Sequence, residues 1–240
     1  VHHFTEINFG NDQRALYLKR FPDRAHERLL VSLATHNQGD KYASLEGFSK
    51  HIDADLLFLT DALNSYYLRD DLGDAYLSFL NTVVPKYSAE KVVFFGSSMA
   101  GFAAVRFAFG FNANCILNNP QFDLDVTMNH AWPELKNNIN KIPERINIMD
   151  LPEGPRQSVI FLVHGDHPMD RANFEAFVPI WLKHPGLKLM AVHCPDLNHG
   201  YLIPRINVFN KLYNWVLEFR DVFPLYGEPQ SYNCVGHKNI

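Results

Sequence analysis

Six apolar runs of strand length alternate along the chain with segments whose apolar residues recur every three or four positions. The runs are Leu29–Thr35, Ala54–Thr60, Lys91–Phe95, Cys115–Asn118, Ser158–Val163 and Leu187–Cys194. Unbroken apolarity over such a length is what strands covered on both faces look like, as in a parallel sheet. Between and after them, Asp71–Val84, Ser98–Phe109, Ala172–Leu182 and Ile206–Phe219 carry helical spacing. Strand and helix in alternation predict an α/β chain with a doubly wound, mostly parallel sheet. Ahead of it, Glu6-Ile7-Asn8-Phe9, the turn Gly10-Asn11-Asp12 and the stretch Arg14 to Lys19 read as a hairpin.

The 240 residues suit a single domain of this class, expected over 1–223. The rhythm breaks between Gln121 and Gln157. Prolines 133, 143, 152 and 155 fall there, with a polar helical segment near Pro133–Ile142 and no clear strand. An insertion over 121–157, beside the carboxyl edge of the sheet, reads equally as a small lid or as a structural excursion that meets no substrate. Residues 224–240 read as an extended tail.

Composition narrows the class of partner. The net charge is −4 with scattered Lys and Arg, so there is no basic stripe of the kind that binds nucleic acid. No apolar run approaches the 18 or so residues that cross a bilayer. Cys115, Cys194 and Cys234 are odd in number and unpaired in spacing, which gives neither a disulfide framework nor a zinc motif. A reducing, cytoplasmic setting is expected, although the chain begins at Val1 and so leaves a removed leader open.

Chemistry enters at Phe95-Gly96-Ser97-Ser98-Met99-Ala100-Gly101. A strand precedes this segment and a helix follows it, so the chain must turn sharply between them. Such an elbow projects a serine hydroxyl above the sheet. The residues two before and two after that serine must be small, because strand and helix backbones nearly touch there. With Ser98 central these are Gly96 and Ala100; with Ser97 central one would be Phe95, which does not fit. The bland alternative is a serine-rich turn that caps the helix.

A serine is a weak nucleophile until a base lies within hydrogen-bond reach. In sheets with this elbow the partners follow in the order acid, then histidine. His199, in Asp196-Leu197-Asn198-His199-Gly200, lies between the last strand and the last helix and is the expected base. His193 falls inside the strand and reads as a core imidazole, while His164 ends the preceding one. Asp166, just past that strand, is the expected acid. Asp170 is the alternative, also readable as the N-cap of the helix that follows. The oxyanion hole needs backbone N–H donors. Met99 is expected to supply one, and Thr35 or His36 the other. His164, Asp166, His167 and Asp170 are also ligand types for zinc or manganese, but their spacing fits no established motif. No metal or other cofactor is expected.

The run from Val92 to Ala104 resembles the G-x-S-M-G-G-x-x-A elbow of the α/β-hydrolases, in particular bacterial members associated with capsular and other surface polysaccharides. Asn118-Asn119-Pro120-Gln121 is similar to a Pro-Gln segment of those proteins, and Asn198-His199-Gly200 to their histidine loop. Ala100 in place of glycine and a compressed acid loop are the departures. The resemblance implies an α/β-hydrolase fold and a sugar-linked acyl group as substrate. Esterases and glycan O-acetyltransferases both occur in that group, so an acyl donor such as acetyl-CoA is implied for the second. Tyr66, Tyr67, His130 and Trp132 are the side chains that could meet a sugar, with core or lid packing as their plainer role. Three functions follow: a serine esterase, an O-acetyltransferase with the same triad, and a non-catalytic binding module of polysaccharide assembly.

Overall fold

The computed structural model describes residues 4–20, 27–151, 157–184, 186–203 and 205–222. β1 (Phe4–Phe9) and β2 (Gln13–Leu18) form the N-terminal hairpin and pair antiparallel. β3 (Leu29–Leu33), α1 (Leu45–His51), β4 (Asp55–Leu59) and α2 (Asp74–Val83) follow. Next come β5 (Val92–Ser97), α3 (Met99–Phe111) and β6 (Asn114–Asn118). After α4 (Leu124–His130) and α5 (Pro133–Asn140), the chain continues with β7 (Val159–His164), α6 (Pro168–Lys183), β8 (Lys188–His193) and α7 (Ile206–Val222).

Among the described residues the sheet has eight strands in the order β1-β2-β4-β3-β5-β6-β7-β8. β2 pairs antiparallel with β4, and every pair from β4 through β3 to β8 is parallel. The strand alternation therefore puts neighbouring side chains on opposite faces. Phe94 enters a core with Phe102, Phe107, Phe122 and Phe177, on the side of α2 to α6. Phe95 enters a second core with Phe48, Phe209 and Tyr213, under α1 and α7. A sheet covered on both faces is what the doubly wound expectation requires.

Two details depart from the sequence reading. β8 is apolar but lies at the sheet edge among the described residues, and its last four residues, Met190 to His193, are exposed. Two helices were not expected. α1 is only seven residues long and buries just Phe48 and Ser49, so it has no sustained periodicity. α4 begins on the Asp123 side chain, which accepts from the N–H groups of Asp125 and Val126 at 2.9 Å each. Between 121 and 157 the described residues hold no strand. Leu124, Leu135 and Ile139 of α4 and α5 are fully buried in the first core. Residues 224–240, expected as a tail, lie outside the described residues.

The strand order reverses direction at β3: from it the chain steps outward to β4, then crosses back to β5 on the other side. Crevices at such a switch point, beyond the carboxyl ends of the strands, are where open α/β sheets place their sites. Thr35, His36 and Ser98 follow those two strands.

Candidate functional site

Ser98 stands between β5 and α3 with φ 53° and ψ −121°, a conformation that non-glycine residues seldom hold and that costs strain. The turn is tight enough to forbid side chains nearby. A Cβ on Gly96 would fall 2.2 Å from the Ala100 carbonyl oxygen, and one on Gly101 2.6 Å from Pro120 Cβ. Ser97 is the last residue of β5, and its Oγ accepts from Asn118 Nδ2 at 2.9 Å. The Ser98 side chain makes no capping hydrogen bond to α3. Its hydroxyl instead lies 2.7 Å from His199 Nε2.

The acid that meets His199 is the alternative one, Asp170, and not Asp166. His199 Nδ1 is 2.5 Å from Asp170 Oδ1, and the Asp170 side chain is 1% exposed. Asp166, the expected acid, is bonded to His193 Nε2 at 2.8 Å. The reason lies in the start of α6. The helix begins at Pro168, whose fixed φ suits the first helical position, and His167 is the cap, with Nδ1 accepting from Met169 N–H at 3.2 Å. Asp170 is thus in the first turn rather than at the cap, and it turns inward. His193 is no core imidazole either, since β8 is an edge strand and the ring is half exposed. His164 is buried and stacks on Phe174 with ring centroids 4.3 Å apart.

Around the elbow, Met99 opens α3, so its N–H has no acceptor within the helix. The Thr35 N–H donates to Gln38 Oε1 at 3.2 Å, and its Oγ1 donates to the Ser97 carbonyl at 2.6 Å. The His36 imidazole accepts from Asn138 Nδ2 through Nε2. Burial holds its pKa below 6.5; Glu134 opposes the shift and His199 adds to it. Trp132 neighbours both imidazoles, 6.1 Å from His36 and 5.8 Å from His199 by ring centroids, and is partly exposed. His130 is exposed at the end of α4. Tyr66 and Tyr67 are fully buried. Tyr67 OH donates to the Ala34 and Leu59 carbonyls, and both rings pack in the first core.

The segment Asn118-Asn119-Pro120-Gln121 has more to do than its sequence resemblance indicated. Asn118 donates to the Gly200 carbonyl at 3.1 Å and accepts from Leu202 N–H at 2.7 Å. Asn119 donates to the same carbonyl at 2.7 Å and accepts from Gly165 N–H at 2.8 Å. Together they tie the histidine loop and the acid loop to the end of β6. Gln121 Nε2 donates to Ser98 Oγ at 3.0 Å. The signal was available: three polar amides at the end of an apolar strand and just beyond it must find partners if buried, and all three are fully buried.

Among the four ligand-type residues near the start of α6, the two aspartates take different partners. Asp166 turns to His193 and Asp170 to His199. Among the described residues His167, Asp170 and His199 offer ligand atoms within 4.8 Å of one another. Two of these three side chains are already hydrogen-bonded to each other, and His167 uses Nδ1 to cap α6.

No protein-family model matches the sequence, and no curated protein matches it. Solved structures do. The capsule O-acetyltransferase of Neisseria meningitidis serogroup A superposes with a TM-score of 0.62 at 18% identity, over 90% of this chain and 92% of that one. A mutant of the same enzyme in complex with CoA gives 0.63 at 16%, over 89% and 94%. An esterase from Pyrococcus furiosus gives 0.54 at 14%, over 93% and 91%. At these identities the likeness speaks for the fold alone. A sheet of this strand order, with its sharp turn after β5 and whole-length likeness to such enzymes, has the α/β-hydrolase fold.

Proposed function

We propose that this chain is a serine-dependent acyl-transfer enzyme that forms an acyl-enzyme on Ser98, with His199 as base and Asp170 as orienting acid. One observation carries the reading: Ser98 Oγ, both nitrogens of His199 and a buried Asp170 oxygen stand in a hydrogen-bonded line of 2.7 and 2.5 Å. Nucleophile, base and orienter within such reach are what nucleophilic catalysis needs.

In the first half-reaction Ser98 Oγ attacks an acyl carbonyl while its proton moves to His199 Nε2. Asp170 accepts from Nδ1–H, which holds the imidazole in the tautomer that can take that proton, and stabilises the imidazolium. The oxygen of the tetrahedral intermediate is received by the N–H groups of Met99 and His36. His199 then protonates the leaving group, and the acyl group stays on Ser98. Water or a hydroxyl, deprotonated by His199, attacks this ester and releases the product.

The substrate proposed is an acylated carbohydrate, or a sugar hydroxyl with an acyl donor such as acetyl-CoA. The capsule O-acetyltransferase likeness supports it, as does a partly exposed Trp132 beside His199. Trp132 immediately precedes α5 in the insertion 121–157, the segment proposed to act as a lid.

A fluorophosphonate probe and p-nitrophenyl acetate test the chemistry. Wild-type protein is expected to label at Ser98 and to release p-nitrophenol; Ser98→Ala is expected to lose both, with turnover down at least about 10³-fold. A folded wild-type protein that does neither overturns the enzyme reading in favour of a binding module. Faster release of p-nitrophenol on adding a glycan acceptor assigns the transferase, and indifference to it the esterase.

A further inference from the structure

Gln121 reaches its position directly after Pro120 at the end of β6, and its side chain is 0% exposed. A buried primary amide must account for two N–H donors and a carbonyl acceptor. Here Nε2 donates to Ser98 Oγ at 3.0 Å and lies 3.6 Å from Met169 Sδ, while Oε1 accepts from Tyr66 OH. The backbone joins in, with Gln121 N–H donating to the Ser98 carbonyl at 3.3 Å. Tyr66 is itself fully buried, edge-on to Phe102, and burial raises its pKa well above 10, so the phenol stays a proton donor. The chain of bonds thus runs Tyr66 OH, Gln121 amide, Ser98 Oγ, His199, Asp170.

We propose that Gln121 is a catalytic donor to the nucleophile oxygen itself, with Tyr66 as the residue that positions it. The inference rests on the acyl-enzyme reading. An amide nitrogen can donate but not accept, so Ser98 cannot turn its O–H toward Gln121 and must give it to His199. As the Oγ–carbon bond forms and the proton leaves for His199 Nε2, Oγ carries partial negative charge, and the Nε2–H bond strengthens. Once the acyl-enzyme exists, Oγ is an ester oxygen and a poor acceptor. When that ester breaks, the electron pair returns to Oγ, which takes its proton back from His199, and the bond strengthens again. Gln121 therefore favours the transition state of acylation over the neutral Ser98 hydroxyl, and that of deacylation over the acyl-enzyme ester, and those differences accelerate the two half-reactions. Tyr66 OH occupies Oε1 and fixes which end of the amide faces the serine.

The test uses the full chain, with each variant shown folded by its thermal transition. Gln121→Met is expected to slow fluorophosphonate labelling of Ser98 and to lower kcat on p-nitrophenyl acetate by about 10- to 100-fold. That is less than the roughly 10²–10³ that losing an oxyanion donor costs, and KM should stay within about threefold. Tyr66→Phe is expected to lower kcat by about 3- to 10-fold, and the double variant to be no slower than Gln121→Met. Folded Gln121→Met that labels at the wild-type rate, or a loss confined to KM, overturns the proposal. So does a Tyr66→Phe effect that adds in full to that of Gln121→Met. If Gln121→Met does not fold, Tyr66→Phe decides, and an unchanged kcat overturns the proposal. Wild-type protein that neither labels nor turns over overturns the acyl-enzyme reading together with this one, whereas labelled wild type with an equally labelled variant removes only this one.

Discussion

Asp166 and Asp170 are four residues apart, and the turn between them decides which one meets His199. Pro168 starts α6 and His167 caps it, so Asp170 falls in the first helical turn, where the helix dipole also favours a carboxylate. Its Oδ1 lies 2.5 Å from His199 Nδ1. Asp166, at the strand end, pairs with the half-exposed His193. Asp170→Asn is therefore expected to lower kcat by about 10³- to 10⁴-fold, since an amide can hold the imidazole in the wrong tautomer. Asp166→Asn is expected to change kcat less than about threefold. Steady-state turnover of an ester by both variants checks the pair, and a larger loss for Asp166→Asn refutes the assignment. Both aspartates were legible as candidates. The choice between them was not, because one reading of the helix start placed Asp170 at a cap that His167 in fact fills.

At the scale of elements, the β5–α3 elbow was legible down to the residue, because steric exclusion is local. Ser98 came out over Ser97 from the size of Phe95, and Gly96 does lie close against the Ala100 backbone. A methyl group there would meet the Ala100 carbonyl oxygen at 2.2 Å. Gly96→Ala is thus expected to destabilise the protein by at least about 3 kcal/mol, which a denaturant midpoint would report. Ala100 sits inside α3 and is fully buried without conflict, so Ala100→Gly should cost only about 0.5–1 kcal/mol through backbone entropy. The turn after β4 was not legible. Asp61, fully enclosed, accepts from Ser65 N–H at 2.7 Å and Tyr67 N–H at 3.1 Å. Around it Tyr66 and Tyr67 take positive φ of 58° and 59°. Bulky residues rarely adopt that region, and no local pattern announces it, yet it is this turn that brings Tyr66 to Gln121.

Across the whole molecule, several imidazoles are partly withdrawn from water. Burial is the leading cause holding His36, His164 and His167 below 6.5. For His164, the Gly165 carbonyl opposes the shift and His193 adds to it; for His167, Asp170 opposes and His199 and His130 add. Such groups bind fewer protons folded than unfolded in the window below 6.5, so stability is retained above that value and falls as pH drops from it toward the depressed folded values. Tm is expected to be lower at pH 5.5 than at pH 7.5. His164→Phe, which keeps a ring against Phe174, is expected to narrow that gap; an unchanged gap removes His164 from the account. The sequence by itself determined the alternation of strand and helix, the sheet buried on both faces, the elbow serine and the loop that carries His199, because each follows from local periodicity or local steric exclusion. Only the tertiary structure decided that β8 is an edge, that Asp170 rather than Asp166 meets His199, and that Gln121 meets Ser98. Those contacts join residues far apart in the chain, and their partners are chosen by how strand ends and helix starts converge in space.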